Sequence, residues 1–430
     1  MAFNTALSGL RAANTDLEVT GNNIANASTT GFKKSRAEFG DVYATSLIGG
    51  GGGTPGSGVL VSNVAQQFDQ GNVSFTDNAL DLAINGSGFF VLAEPSGAPA
   101  YTRSGYFSLD NNGNIVNNTG SLLQGRVADA NGNITGGTPT ALVVNTGNLP
   151  PSQTDTVSLE FNLDSTASIP SVAAFDELNP LSFNESTSLT VYDSRGESHT
   201  MTNFFVKTAT NNVWNMHTFI DGTDVVTNGA VTAGPVTNTF YQLSFTSSGI
   251  LVSPTNPATL TVDNWVPTNG AAGSIASGEP AVTASDFIIS VAGSSQFGSD
   301  FSVSDVNQDG FAPGRLTSIE IDNTGILFAR YSNGEALTLG QIVLASFANE
   351  QGLSPLGNTT WGESFESGLP NVGVPLAGSL GAIQAGALEE SNVDLSDELV
   401  HLIIAQRNFQ ANAKTIETAD TVTQAIINIR

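Results

Sequence analysis

The chain has 430 residues, of which 46 are glycine and 12% are charged, and its formal net charge is −26. This acidity argues against nucleic-acid binding, because contacts to phosphate need clusters of lysine and arginine. The absence of cysteine excludes disulfides and thiolate metal sites. No stretch has the roughly 20 apolar residues that a membrane span requires.

The first predicted element is a helix with a heptad seam. Its apolar residues are Phe3, Leu7, Leu10, Leu17 and Ile24, and with Asn14 and Gly21 in the intervening places they follow alternating steps of four and three. We expect this helix to end near Gly31, after a polar and β-branched run.

Short alternating strands separated by turn signals predict two β-rich blocks in the middle of the chain. The predicted domains are a terminal helical assembly domain (1–32 and 392–430), a connector (33–70 and 364–391), an inner β-domain (71–145 and 285–363) and an inserted outer β-domain (146–284). The inner domain is therefore predicted to be discontinuous.

A second heptad seam predicts a helix at the other end of the chain. Its positions are Leu395, Leu399, Leu402, Phe409, Ala413, Ile416 and Ile426. Burying the two seams together requires the chain ends to meet. The predicted fold is therefore mainly β with terminal α-helices that form a coiled-coil-like stem. An alternative is that both helices are ordinary amphipathic helices in the core of one globule.

Residues 22–33 resemble the N-terminal signature of the axial proteins of the bacterial flagellum. The signature positions are Asn22, Asn23, Ile24, Ala25, Asn26, Thr30, Gly31 and Phe32. Residues 81–90 and 101–107 resemble blocks that rod and hook subunits share, and residues 390–412 resemble the C-terminal helix of the family. Residues 186–193 and 297–303 resemble hook subunits in particular.

This resemblance implies a structural subunit without enzymatic activity, cofactor, catalytic residues or metal ligands. Such subunits polymerise into a flexible curved tube, a universal joint that transmits torque from rod to filament. The implied partners are further copies of the chain, the distal rod protein, the hook cap, the hook–filament junction protein and the flagellar export apparatus. The implied location is the hook, outside the cell, reached without a cleavable signal peptide, and the N-terminal sequence has no such signal.

Phe39 and Tyr43 lie in a segment that resembles the short motif by which early flagellar substrates engage the export gate. An equally simple interpretation is two aromatic residues packed in the connector.

Other functions remain open at this stage: a distal rod or other axial protein, an extracellular adhesin, or a secreted polysaccharide-acting enzyme. Residues 305–310 match the first half of a calcium loop, but Leu316 stands where a bidentate glutamate is required, so we predict a hydrogen-bonded turn. His199 lies near Asp193 in sequence, which does not make a catalytic triad, and we interpret it as a structural histidine.

Overall fold

The computed structural model describes residues 2–42, 56–129, 132–134, 136–225, 240–255, 258–265 and 285–428. The N-terminal elements are α1 (Ala2–Ala25), β1 (Ser35–Asp41), β2 (Val59–Gln66), β3 (Val73–Phe75), β4 (Leu82–Asn85), β5 (Phe89–Ala93), β6 (Pro99–Thr102), β7 (Ser108–Leu109), β8 (Ile115–Val116), β9 (Leu122–Val127) and β10 (Thr140–Ala141). The central strands are β11 (Thr156–Asp164), β12 (Glu185–Tyr192), β13 (Ser198–Lys207), β14 (Val213–Ile220), β15 (Thr223–Asp224), β16 (Tyr241–Phe245), β17 (Leu251–Ser253), β18 (Thr259–Trp265), β19 (Ser285–Ser290), β20 (Ser295–Phe297) and β21 (Ser302–Gln308). The C-terminal elements are β22 (Leu316–Ile321), β23 (Ile326–Tyr331), β24 (Ala336–Ile342), β25 (Leu344–Ser346), a 3-10 turn (Glu350–Gly352), β26 (Ser354–Gly357), β27 (Thr360–Gly362), β28 (Asn371–Gly373), β29 (Ala382–Ala385), β30 (Ala387–Glu389) and α2 (Leu395–Asn428).

The chain divides into two compact units. We call Met1–Thr146, Thr317–Arg330 and Ala336–Arg430 the terminal unit, and Gly147–Leu316 with Tyr331–Glu335 the insert unit. The prediction of a mainly β chain with terminal helices that contact each other is confirmed.

Local hydrogen bonds set the ends of the two helices that face the middle of the chain. The Asn26 side-chain amide donates to the Asn22 carbonyl oxygen at 2.9 Å, and the Thr29 N–H donates to the Asn26 carbonyl oxygen at 3.0 Å. These bonds compete with further helical turns, so α1 ends at Ala25 and not near Gly31 as predicted. At the start of α2, Asp394 Oδ1 accepts from the Ser396 N–H at 2.8 Å and caps the helix.

The terminal unit contains a 13-stranded sheet whose main path runs β22-β23-β24-β9-β5-β6-β27-β26. Antiparallel pairing of β24 with β9 returns the chain to the first block of strands. One core cluster of this unit is aromatic, with the Tyr101 and Phe347 rings 4.8 Å apart, edge to face. The β1–β2 hairpin forms a separate two-stranded sheet that contacts α1.

The insert unit packs a 5-stranded sheet and a 6-stranded sheet around one apolar core. In the first sheet β11 pairs parallel with β19 and β20 and antiparallel with β21. In the second, β12, β13 and β14 form an antiparallel meander. Phe161 of β11 meets Phe205 of β13 with ring centroids 4.5 Å apart, which joins the two sheets.

The insert unit differs from the predicted insertion in its C-terminal boundary. Residues 285–316 lie in it, because β19 and β21 pair with β11. The prediction of a turn beginning at Asp305 is also wrong, since residues 302–308 form strand β21. Alternation in a sequence indicates a strand but does not identify its partner.

We expect Phe161→Ala to lower the free energy of unfolding of the insert unit by about 3–5 kcal/mol, because it empties a fully buried site between two sheets. Urea unfolding followed by the fluorescence of Trp214 and Trp265, both in this unit, measures the loss. The matched control is Phe297→Ala, whose ring is 50% exposed and should cost less than about 1 kcal/mol. If both variants lowered the free energy of unfolding equally, the two sheets of the insert unit would not share a core at Phe161.

Candidate assembly site

The two terminal helices pack against each other in opposite directions. The Asn23 side chain of α1 donates to Glu398 Oε1 of α2 at 3.3 Å, whereas Gly9, two turns from the start of α1, lies against Asn412. A Cβ at Gly9 would come within 2.5 Å of Asn412 Oδ1, so a larger residue there would displace the Asn412 side chain. The termini of the chain therefore meet, as the paired seams require.

The predicted seam positions do not all lie at this contact. On α1 the most buried side chains are Ala6, Ala12, Ala13, Thr20 and Asn23, while Leu7, Leu10, Leu17 and Ile24 are half-buried. On α2, Leu402, Phe409, Ala413 and Ile416 are half-buried, Ala405 and Glu398 are buried, and the side chain of Ile426 lies outside the described residues. Small and polar residues thus form the tightest part of the contact, which a search for large apolar side chains overlooks.

Leu395 and Leu399, although predicted as seam residues, are 48% and 50% exposed. With other exposed residues they form a broad apolar strip, because positions three and four apart are neighbours on the surface of a helix. We call this strip the α2 apolar stripe; its members are Leu395, Leu399, Val400, Ile403 and Ile404. The helix therefore has two apolar faces, and only one of them meets α1.

A buried ion cluster lies where the signature segment joins the sheets. Lys33 Nζ contacts Glu389 Oε1 at 2.6 Å, and both side chains have 0% exposure. Arg103 reaches the second oxygen, Glu389 Oε2, at 3.1 Å, and the Gly71 N–H donates to Oε1 at 3.0 Å. Burial lowers the pKa of Lys33, and its hydrogen bond to Glu389 opposes that effect.

Several signature residues are fixed by backbone contacts around this cluster. Asn23 makes two hydrogen bonds with the backbone of Ser35, at 2.8 and 2.9 Å, and so joins α1 to β1. Gly31 has φ of +70°, its N–H donates to the Glu389 carbonyl oxygen, and a Cβ there would lie 2.5 Å from the Ser104 nitrogen. Asn22 and Ala25 are exposed, and Ile24, Asn26, Thr30 and Phe32 are half-buried.

Asn392, just before α2, is a functional candidate that the sequence analysis did not single out. Its Oδ1 accepts from the Lys34 N–H at 2.8 Å, and its Nδ2 donates to the Gln67 and Asp69 carbonyl oxygens at 2.8 and 3.1 Å. Asn392 lies in residues 390–412, which resemble the C-terminal helix of the family, but this resemblance does not indicate the role of any individual side chain. Of the export-motif pair, Phe39 is 44% exposed on β1 and Tyr43 lies outside the described residues.

Four family models match the chain. They are the flagella basal body rod protein at residues 3–33, the flagellar hook protein FlgE/F/G D1 domain at 83–169, the flagellar basal body protein FlaE D2 domain at 162–311 and the flagellar basal body rod FlgEFG protein C-terminal model at 384–429. The flagellar hook protein FlgE of Escherichia coli is 38% identical over 432 residues, which covers 100% of both chains. The chain belongs to the flagellar hook protein family.

Other relatives agree with this family assignment. The flagellar hook protein FlgE of Treponema pallidum is 35% identical over 99% of this chain and 98% of its own length. The crystal structure of Helicobacter pylori flagellar hook protein FlgE2 shares the fold, with a TM-score of 0.51 at 13% identity, over 74% of this chain and 100% of that chain. The FlaE D2 match lies entirely in the insert unit of this hook-family chain.

We expect Lys33→Met to lower the free energy of unfolding of the terminal unit by an amount near the lower end of about 3–5 kcal/mol. The change leaves the buried Glu389 carboxylate with Arg103 as its remaining cation. Hydrogen exchange of the backbone amides of the terminal unit in the full chain measures the loss, because tryptophan fluorescence would also report on Trp214 and Trp265 of the insert unit. The control, Lys414→Met, removes a lysine that is 72% exposed in its pair with Glu417 and should cost less than about 1 kcal/mol. A Lys33→Met protein as stable as the control would rule out this role for the ion cluster.

Proposed function

We propose that this chain is the structural subunit of the bacterial flagellar hook and that its terminal helices assemble it into a tube. The observation that supports this proposal is the α2 apolar stripe, whose residues are about half exposed although α2 is already paired with α1. Exposed apolar strips of this kind mark contact surfaces. Because every copy carries the same stripe, a contact between it and a different face of the next copy generates a helical polymer.

Family membership supports the hook as the place of assembly. Full-length relatives named flagellar hook protein FlgE are 30–38% identical to the chain. The hook is part of the extracellular flagellum, and no helix of the described residues has the length and apolarity to cross a membrane. We assign the chain a structural function, not an enzymatic one, in a flexible curved tube that transmits torque from rod to filament.

We further propose that the domains have separate tasks in this tube. The segments 1–32 and 392–430 form the assembly domain, and the insert unit provides the outer β-domain, which remains in contact with solvent. Most of the net charge of −26 lies in the middle of the chain, because both ends are near neutral. Electrostatic repulsion between copies therefore keeps the outer domains apart. Small polar contacts between such domains allow them to slide when the tube bends.

The individual proteins that this subunit contacts in the flagellum are also proposals. Axial neighbours of the hook, namely the distal rod protein, the hook cap and the hook–filament junction protein, are expected to meet the same terminal helices. The exposure of Phe39 on β1 supports an export-gate motif in the connector, because such a motif must be reachable by the gate.

Assembly should be sensitive to charge in the α2 apolar stripe. We expect Leu399→Asp to raise the critical concentration for polymerisation by more than about tenfold, because burial of one leucine is worth about 1.5–3 kcal/mol and a carboxylate there would lose its hydration. Sedimentation of polymer from purified protein measures this concentration. The control is Asn408→Asp, which adds the same charge at an exposed position outside the stripe. Equal critical concentrations for the two variants would reject the stripe as the assembly surface.

Single cysteines give an independent test, since the natural chain has none. Leu399→Cys and Leu178→Cys place a thiol in the stripe and in the insert unit, at positions 50% and 85% exposed. In the monomer we expect a maleimide to label both. In isolated hooks it should label only the cysteine at position 178, because the stripe is then covered by a neighbouring subunit. Full labelling at position 399 in intact hooks would contradict the proposed assembly.

A further inference from the structure

The turn between β12 and β13 is held by one oxygen of Asp193. Asp193 Oδ1 accepts from the Arg195 N–H at 2.9 Å and from the Glu197 N–H at 2.8 Å. Gly196, with φ of +79°, completes this tight turn. These bonds leave the second carboxylate oxygen, Oδ2, available for another ligand.

That second oxygen faces a histidine nitrogen inside the insert unit. Asp193 Oδ2 and His199 Nε2 lie 3.8 Å apart, and the two side chains are 1% and 6% exposed. Among the described residues neither atom has a hydrogen-bond partner. Buried polar atoms without a hydrogen-bond partner are rare and destabilise the folded state, so this arrangement calls for an explanation.

The histidine ring is held so that its free nitrogen points at the aspartate. His199 Nδ1 lies 2.6 Å from Asp221 Oδ2, and Asp221 Oδ1 accepts from the Thr200 N–H at 2.9 Å. When Nδ1 carries the proton and donates to Asp221, Nε2 presents a lone pair toward Asp193. A carboxylate that orients the far nitrogen of a histidine in this way is typical of metal ligation. The Trp265 ring packs edge-on against the His199 ring, with centroids 5.0 Å apart.

Glu197 adds a third ligand atom. The ligand atoms of Asp193, Glu197 and His199 all lie within 4.8 Å of one another. Two ligands bound at ~2.0–2.2 Å to a tetrahedral cation are separated by ~3.3 Å, so the 3.8 Å gap needs to close by about half an ångström. The exposed Glu197 can make the larger adjustment, because its side chain lies at the surface of the turn.

We propose that Asp193, Glu197 and His199 bind a divalent transition-metal cation, with zinc as the best match. One imidazole and two carboxylates suit zinc, whereas calcium and magnesium prefer oxygen ligands alone. Two carboxylates also balance the charge of the cation. The site was not found from the sequence, since Asp221, which orients the histidine, lies beyond the next strand.

A bound cation would connect the β12–β13 turn to the end of β14 through His199 and Asp221. Binding to the folded state alone raises the stability of the insert unit, and the gain grows with the concentration of the cation. The site is independent of the α2 apolar stripe, so its test does not depend on how the chain assembles.

Isothermal titration of the full chain with zinc chloride tests the proposal, and we expect one cation per chain. Glu197→Gln and Asp221→Asn should each weaken binding by about 10–100-fold, and His199→Gln by at least as much. Glu197→Gln changes only an exposed side chain, so it separates ligation from folding. The matched control is Glu185→Gln, at the opposite end of β12, ~26 Å away along the strand, which should bind zinc as the natural chain does.

Trp265 provides a second measurement. Cobalt bound at His199 should quench part of the tryptophan fluorescence, and Trp265→Phe should remove this quenching while titration still shows binding. No saturable zinc binding, or equal binding by the Glu197→Gln and Glu185→Gln proteins, would overturn the proposal. In that case His199 is a structural histidine that is hydrogen-bonded to Asp221 and holds no metal.

Discussion

The terminal unit depends on one buried carboxylate. Glu389 is the last residue of β30. Its carboxylate contacts Lys33, which precedes β1, Arg103, which follows β6, and the Gly71 N–H. Its own carbonyl oxygen accepts from the Gly31 N–H. A buried charge must keep its partners, so these segments cannot separate without exposing an unpaired ion to the apolar interior. This cluster fixes the point from which both terminal helices leave the sheets.

The terminal helices use different faces for different contacts: one face packs between α1 and α2, and another face of α2 is exposed. Where α1 and α2 meet, the Asn412 side chain lies against Gly9, and the small Ala405 is fully buried. The large apolar residues Leu399 and Ile403 face away from this contact. Because α1 and α2 already bury one face against each other, the pair can exist in a monomer. The exposed α2 apolar stripe is then still available to the next copy. This division suits a subunit that must remain soluble before it polymerises.

The insert unit obtains its stability in a different way. Its two sheets share a core that includes Phe161, Phe205 and Trp214, and no helix contributes to that core among the residues that the structure describes in this unit. At one end of the β12–β13 hairpin, Asp193 Oδ2 and His199 Nε2 are buried and have no hydrogen-bond partner in the described part of the chain. A protein that works outside the cell without disulfides has few ways to reinforce a β-domain. A metal site at a hairpin end is one of them.

The sequence by itself determined the fold class, the two terminal helices and membership of the flagellar axial proteins, because heptad spacing and the signature around Asn23 are local patterns. It determined the buried face of α2 only in part: the predicted Leu402, Phe409, Ala413 and Ile416 are half-buried, Leu395 and Leu399 are exposed, and the buried Glu398 and Ala405 were not predicted. Nor could it place residues 285–316, since only strand pairing with β11 decides their unit. Lys33 with Glu389 and His199 with Asp221 are far apart in sequence. The tertiary structure alone brings them together, because strand pairing and packing decide which distant residues meet.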